Sequence, residues 1–169
     1  TMLQFITHPS DKYSIAEEVK MVIEGGCKWI QLRMKEASYD ELRDTALEII
    51  PICRENDVIL VIDDNVELVK ELRVHGVHIG KEDMSPAKAR EYLGPHAIIG
   101  VTANTATDII NMRGIDVDYV GLGPFRHTTT KTKLSPTLGI EGYRDIMSEV
   151  TKAGSELPVV AIGGITLDD

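Results

Sequence analysis

Several things are scarce in this sequence, and each scarcity excludes something. Only two cysteines, Cys27 and Cys53, occur in 169 residues, and they form no C-x-x-C pair. A disulfide framework is therefore not expected, nucleophilic catalysis by a thiol has no support, and a reducing cytoplasm is the compartment that fits. Aromatic residues make up 5% of the chain, too few for a platform of stacked bases. Positive charge is also short. Eighteen Lys and Arg stand against 27 Asp and Glu, leaving a net charge of −9. A nucleic-acid partner would want a basic face. No apolar run approaches the roughly 18–20 residues a membrane span needs. The N-terminal Thr1-Met2-Leu3-Gln4-Phe5 has no basic region followed by an apolar stretch, so a signal peptide is either absent or already removed.

What is present is a rhythm of short apolar strands and longer amphipathic helices. Strands are expected at Leu3–Thr7, Trp29–Met34, Val58–Ile62, Gly76–Ile79, Ala97–Val101, Tyr119–Leu122 and Val159–Ile162. Helices are expected between them at Ser14–Glu24, Ser38–Glu55, Val66–Leu72, Pro86–Tyr92, Thr107–Met112 and Glu141–Lys152. Ser14 reads as an N-cap, with Gly25-Gly26 ending its helix. Ser38 with Glu41 matches a capping box, and Pro86 suits a first helical turn. Strands alternating with helices imply parallel pairing through helical crossovers. The strands are nearly all apolar, as when both faces are buried.

Two architectures fit: an open doubly wound sheet and a (β/α)8 TIM barrel. The first strand–helix turn lacks a Gly-rich dinucleotide fingerprint, while glycines follow later strands at Gly80, Gly100, Gly123 and Gly163-Gly164. The barrel is favoured, as one domain over residues 1–169, with the last helix and eighth strand not represented in the sequence. Such a chain is expected to be a poor catalyst by itself.

Four constellations carry chemistry. Alternation along Trp29-Ile30-Gln31-Leu32-Arg33-Met34-Lys35 puts Gln31, Arg33 and Lys35 on one face. Convergent Arg and Lys suit a phosphate or pyrophosphate; the competing reading is a strand end with its polar side in water. Asp63-Asp64 ends the third strand, and Glu82-Asp83 follows the fourth. Carboxylates there could share a hard cation such as magnesium. For Asp64 the competing reading is helix capping, and for Glu82 solvent exposure is preferred. Next, Gly123–Lys133 carries hydroxyls and ammonium groups on a polar connection and reads as an anion-closing lid; the competing reading is a solvated polar loop. Finally, Gly163-Gly164 lets backbone approach a ligand closely, where barrels often bind phosphate; the competing reading is a plain turn. His75 and His78 point to opposite faces and do not suit a shared zinc; His78 is expected in the core.

Taken in order, these stretches resemble the thiamine phosphate synthase family. They are Gln31–Lys35, Ile62-Asp63-Asp64, Gly76–Met84, Ile98–Thr102, Gly121–Lys131 and Pro158–Ile165. The resemblance implies a (β/α)8 barrel and a transferase. It would join hydroxymethylpyrimidine pyrophosphate to thiazole phosphate, giving thiamine phosphate and pyrophosphate, with magnesium as cofactor. It further implies that Gln31, Arg33, Lys35 and Lys131 bind the pyrimidine pyrophosphate, with Arg33, Lys35 and Lys131 as the catalytic cations. Asp64 and Asp83 would hold magnesium. Thr128, Thr130, Gly163 and Gly164 would meet the thiazole phosphate, and Thr102 would lie against the pyrimidine. Asp63 belongs with the substrate-binding residues and stands where the family commonly has Asn. Asn65 and Asn104 also depart from the commonest pattern, and Thr102 replaces a more usual Ser. Alternatives are a thiazole tautomerase, an isomerase on the same barrel, and an inactive phosphate-binding fragment. Both expected substrates are small molecules; an oligomer is left open.

Overall fold

The computed structural model describes residues 3–127 and 135–169. The strands among the described residues are, in chain order, β1 (Gln4–Ile6), β2 (Trp29–Leu32), β3 (Ile59–Asp63), β4 (Gly76–Ile79), β5 (Ile98–Ala103), β6 (Tyr119–Leu122) and β7 (Val159–Ala161). The helices between them are α1 (Ile15–Glu24), α2 (Tyr39–Glu55), α3 (Val66–Leu72), α4 (Pro86–Leu93), α5 (Ala106–Ile110) and α6 (Gly139–Lys152). The α/β alternation read from the sequence is thus present throughout. The chain forms two compact units, Thr1–His78 with Glu91–Ile98, and Ile79–Arg90 with Ile99–Asp169.

In the first unit β1, β2, β3 and β4 pair in parallel, in that order. The register sets Gln31 beside Ile6 on one side and Val61 on the other, and Asp63 beside His78. Burial fixes this register, because a one-residue slip would turn every inward side chain outward. Ile30, Leu32, Ile49, Leu60, Ile62 and Leu68 are essentially inaccessible to solvent. Each contributes roughly 1.5–3 kcal/mol through the surface it removes from water. Two helices here start on full capping boxes. Ser14 and Glu17 exchange side-chain and backbone hydrogen bonds at α1, and Ser38 and Glu41 do so at α2. That reciprocity satisfies N–H groups that a helix start otherwise leaves unpaired.

In the second unit β5, β6 and β7 are also parallel. Gly100 is required by packing, since a Cβ there would lie 2.0 Å from the ring of buried Tyr119. The entry to β6 is pinned electrostatically. The Arg90 guanidinium stands 3.1 Å from the Asp116 carboxylate and 2.9 Å from that of Asp118. Asp118 also accepts the Ile99 N–H at 2.7 Å. Strand burial is complete in β6 and partial in β7.

Two expected boundaries shift where function is concerned. β2 ends at Leu32 rather than Met34, so Arg33, Met34 and Lys35 lie beyond the strand. The cause is a contact from the end of β1: the Arg33 N–H donates to the Thr7 hydroxyl at 2.9 Å instead of a neighbouring carbonyl. β5 runs on to Ala103, which brings Thr102 into the strand.

Candidate functional site

In the first unit the expected residues gather where β1, β2 and β3 end. Gln31 is 2% exposed, and its amide donates to the Gln4 side chain at 3.3 Å. A buried, hydrogen-bonded glutamine rules out the solvent-facing reading for that position. Thr7, which the sequence reading did not single out, is 1% exposed and clamps the next residue pair. Its hydroxyl accepts from the Arg33 N–H and donates to the Arg33 carbonyl at 3.2 Å. The half-buried Arg33 therefore leaves β2 from a backbone held at both polar groups. Lys35 is exposed, and its ammonium stands 3.1 Å from the Asp63 carboxylate, whose side chain is 10% exposed. An acidic and a basic member of the expected set are thus already paired.

Asp64 follows directly. Its capping reading is overturned: the cap of α3 is Asn65, whose side chain accepts the Leu68 N–H at 2.9 Å. Asp64 instead adopts φ 66°, and its N–H donates to the His78 carbonyl at 2.7 Å. Among the described residues the other non-glycine positions with positive φ are Asp57 and Arg73, and both follow or close helix C-termini, where that conformation is routine. Asp64 has no such excuse. Strain at a strand's carboxyl end points toward function. His78 is 5% exposed, the core position expected for it.

In the second unit Asp83 sits four residues beyond β4. One carboxylate oxygen accepts the Gly80 N–H at 2.6 Å, which closes the turn and fixes the carboxylate. Gly80 cannot carry a side chain there, since a Cβ would lie 2.7 Å from that oxygen. The neighbouring cation Lys81 is taken by Asp108, 2.5 Å away. Burial raises the Asp108 carboxyl, but Lys81 and the Asn104 N–H outweigh it and hold the group below its ordinary range. Thr102 is half-buried in β5. Asn104 donates its amide to the Gly123 carbonyl at 2.7 Å, tying the end of β5 to that of β6.

The segments after β6 and β7 are bound together. Phe125 and Arg126 donate their N–H groups to the carbonyls of Ile162 and Gly163, at 2.8 and 2.9 Å. Leu138 and Gly139 return N–H groups to Pro124 and Phe125, at 2.9 Å each. Gly163 and Gly164 have φ of 88° and 70°. A Cβ on either would come within 2.9 Å of Pro124 or Arg126. Both glycines are thus demanded by backbone conformation and by close packing. Thr128, Thr130 and Lys131 lie outside the described residues. Among the described residues no three His, Cys, Asp or Glu side chains form a metal cluster. A magnesium held by one or two carboxylates and substrate phosphates needs no such cluster.

The family model described as thiamine monophosphate synthase matches residues 3–169. The chain belongs to the thiamine monophosphate synthase family. It is 56% identical over 167 residues to the thiamine-phosphate synthase of Bacteroides thetaiotaomicron, covering 99% of this chain and 80% of that protein. Against the same enzyme of Bacteroides fragilis the identity is 54%, covering 99% and 82%. Among solved structures, the thiamine phosphate pyrophosphorylase of Pyrococcus furiosus superposes with a TM-score of 0.81 at 30% identity, covering 99% of this chain and 77% of that one. These matches support the transferase reading. The chain is an enzyme of thiamine biosynthesis with an α/β fold. No helix among the described residues is long and apolar enough to cross a membrane.

Proposed function

We propose that the chain joins hydroxymethylpyrimidine pyrophosphate to thiazole phosphate at the carboxyl ends of its strands, using magnesium held by Asp64 and Asp83. What carries the metal assignment is Asp64. It adopts a left-handed backbone at the carboxyl end of β3, a position where conformational strain marks function, while the helix cap is Asn65. Asp83 fits the same role, with one oxygen fixed by the Gly80 N–H. When bound, magnesium would supply Lewis-acid stabilisation of the leaving pyrophosphate.

The chain's own residues do the rest. Arg33, Lys35 and Lys131 would offer positive charge where the departing pyrophosphate gathers negative charge, which is where preorganised cations stabilise a transition state most. The Thr7 clamp on Arg33 supports that preorganisation. Lys35 must exchange its Asp63 partner for phosphate oxygen. Gln31, buried and already hydrogen-bonded, would orient the pyrimidine together with Thr102 and Asp63. Thr128, Thr130, Gly163 and Gly164 would bind the thiazole phosphate. The thiazole nitrogen is the nucleophile, so no protein base is required; aligning two bound reactants contributes through proximity. The reading includes the (β/α)8 barrel arrangement, supported by the alternation of strands and helices through β7, and a cytoplasmic setting, supported by two buried unpaired cysteines.

The test is calorimetric titration of the protein with inorganic pyrophosphate, with and without magnesium. Binding that requires magnesium is expected. Pyrophosphate binding indifferent to magnesium would contradict the assignment.

A further inference from the structure

Arg126 lies on the segment after β6 and reaches the segment after β7 in three ways. Its N–H donates to the Gly163 carbonyl at 2.9 Å. Its guanidinium donates to the Gly164 carbonyl. The same guanidinium forms a fork on Asp169, with Nη1 and Nη2 each 2.9 Å from a carboxylate oxygen. Asp169 is itself anchored, accepting from the Thr166 N–H at 2.7 Å and the Thr166 hydroxyl at 2.9 Å. Its side chain is 16% exposed. The fork geometry is particular to arginine, because a planar guanidinium matches both oxygens of a carboxylate at once.

These contacts bracket the glycine pair. Gly163 and Gly164 both sit in the left-handed region, where a glycine backbone has wide freedom and needs outside contacts to hold one conformation. Both of their carbonyls are engaged by Arg126, one through its backbone and one through its side chain. Beyond them the chain is caught again at Asp169.

We propose that Arg126, braced by Asp169, is a positioning residue for the transfer reaction: it sets the Gly163-Gly164 backbone in the conformation that receives the thiazole phosphate. The inference rests on the assignment of that glycine pair to the thiazole phosphate. Arg126 itself need not touch substrate. Its loss should loosen the glycine turn, lowering affinity for one reactant and leaving the other alone. A loss of positioning of this kind commonly costs roughly 10- to 100-fold.

The experiment is steady-state kinetics on the full natural protein and on Arg126→Lys, Arg126→Ala, Asp169→Asn and the Arg126→Ala/Asp169→Asn double variant, with each substrate varied in turn. Arg126→Lys keeps the charge and the backbone N–H but loses the fork, which covers the case in which Arg126→Ala does not fold. The KM for thiazole phosphate should rise about tenfold or more in Arg126→Lys and Asp169→Asn. The KM for pyrimidine pyrophosphate should stay within about twofold. The double variant should be little worse than Arg126→Ala, since the two residues act as one unit. A lower melting temperature with both KM values unchanged would make Arg126 merely structural and overturn the proposal. A rise confined to the pyrimidine pyrophosphate KM would overturn it too. If the parent protein turns over both substrates but binds thiazole phosphate unaltered after Gly164→Ala, the assignment of the glycine pair has failed instead, and the proposal with it.

Discussion

The left-handed backbone of Asp64 allows its carboxylate to be tested apart from its conformation. At φ 66° an ordinary L-residue carries a penalty of roughly 1–2 kcal/mol, and glycine carries almost none. Glycine in turn loses about 0.4–1 kcal/mol through the greater freedom of its unfolded chain. The net difference between Asp64→Gly and Asp64→Ala should therefore be about 0.5–1 kcal/mol in favour of glycine. For a chain of this length that is about 1–4 °C in melting temperature. Both variants lack the carboxylate. Their magnesium-dependent affinity for pyrophosphate should fall equally, by at least about tenfold, since even indirect partners of a metal commonly cost that much. Differential scanning calorimetry reads the first effect and isothermal titration the second. Equal melting temperatures would refute the strained backbone. Parent-like titration by either variant would refute the metal assignment.

Three further outcomes follow from particular contacts. Asp63→Asn removes the partner 3.1 Å from Lys35 and should tighten magnesium-dependent pyrophosphate binding about two- to fivefold; unchanged or weaker binding would mean that Asp63 aids Lys35 rather than competing for it. Gly76→Ala places a Cβ 1.9 Å from the Ile98 carbonyl oxygen, a backbone atom that cannot swing aside, so urea denaturation should show a loss of about 3 kcal/mol or more. Asp169 is held below its usual 3.8 by Arg126 and by the Thr166 N–H, so its contribution is complete above pH about 4 and lost as pH falls below that; Asp169→Asn should narrow its stability gap to the parent only on that acid side, as melting temperatures across pH would show.

The parts of this molecule governed by local rules were legible in the sequence. Ser14 caps its helix as read, and Ser38 with Glu41 starts the next as the spacing of a hydroxyl and a carboxylate three residues apart dictates. Val66–Leu72, Gly76–Ile79 and Tyr119–Leu122 form over the very residues their patterning marks. What escaped depends on contacts between distant segments. No local pattern says that the Thr7 hydroxyl will take the N–H of Arg33, 26 residues away, and end β2 early. Nor does it say that Lys35 meets Asp63, or that Arg126 meets Asp169. The role of Asp64 was open because Asp and Asn both cap helices well; only the observed Asn65–Leu68 bond decides between adjacent candidates. Two adjacent glycines signal close approach without saying of what, and here a Cβ on either would first meet Pro124 or Arg126.

The central claim is that residues of this chain transfer a pyrimidine-methyl group with loss of pyrophosphate. The most direct measurement mixes the full natural protein with hydroxymethylpyrimidine pyrophosphate, thiazole phosphate and magnesium, and follows both products by chromatography. Thiamine phosphate and pyrophosphate are expected in equal amounts, with formation abolished when magnesium is chelated and strongly reduced in Arg33→Ala. Isomerisation of the thiazole phosphate without pyrophosphate release, or product formation indifferent to chelation, would contradict it.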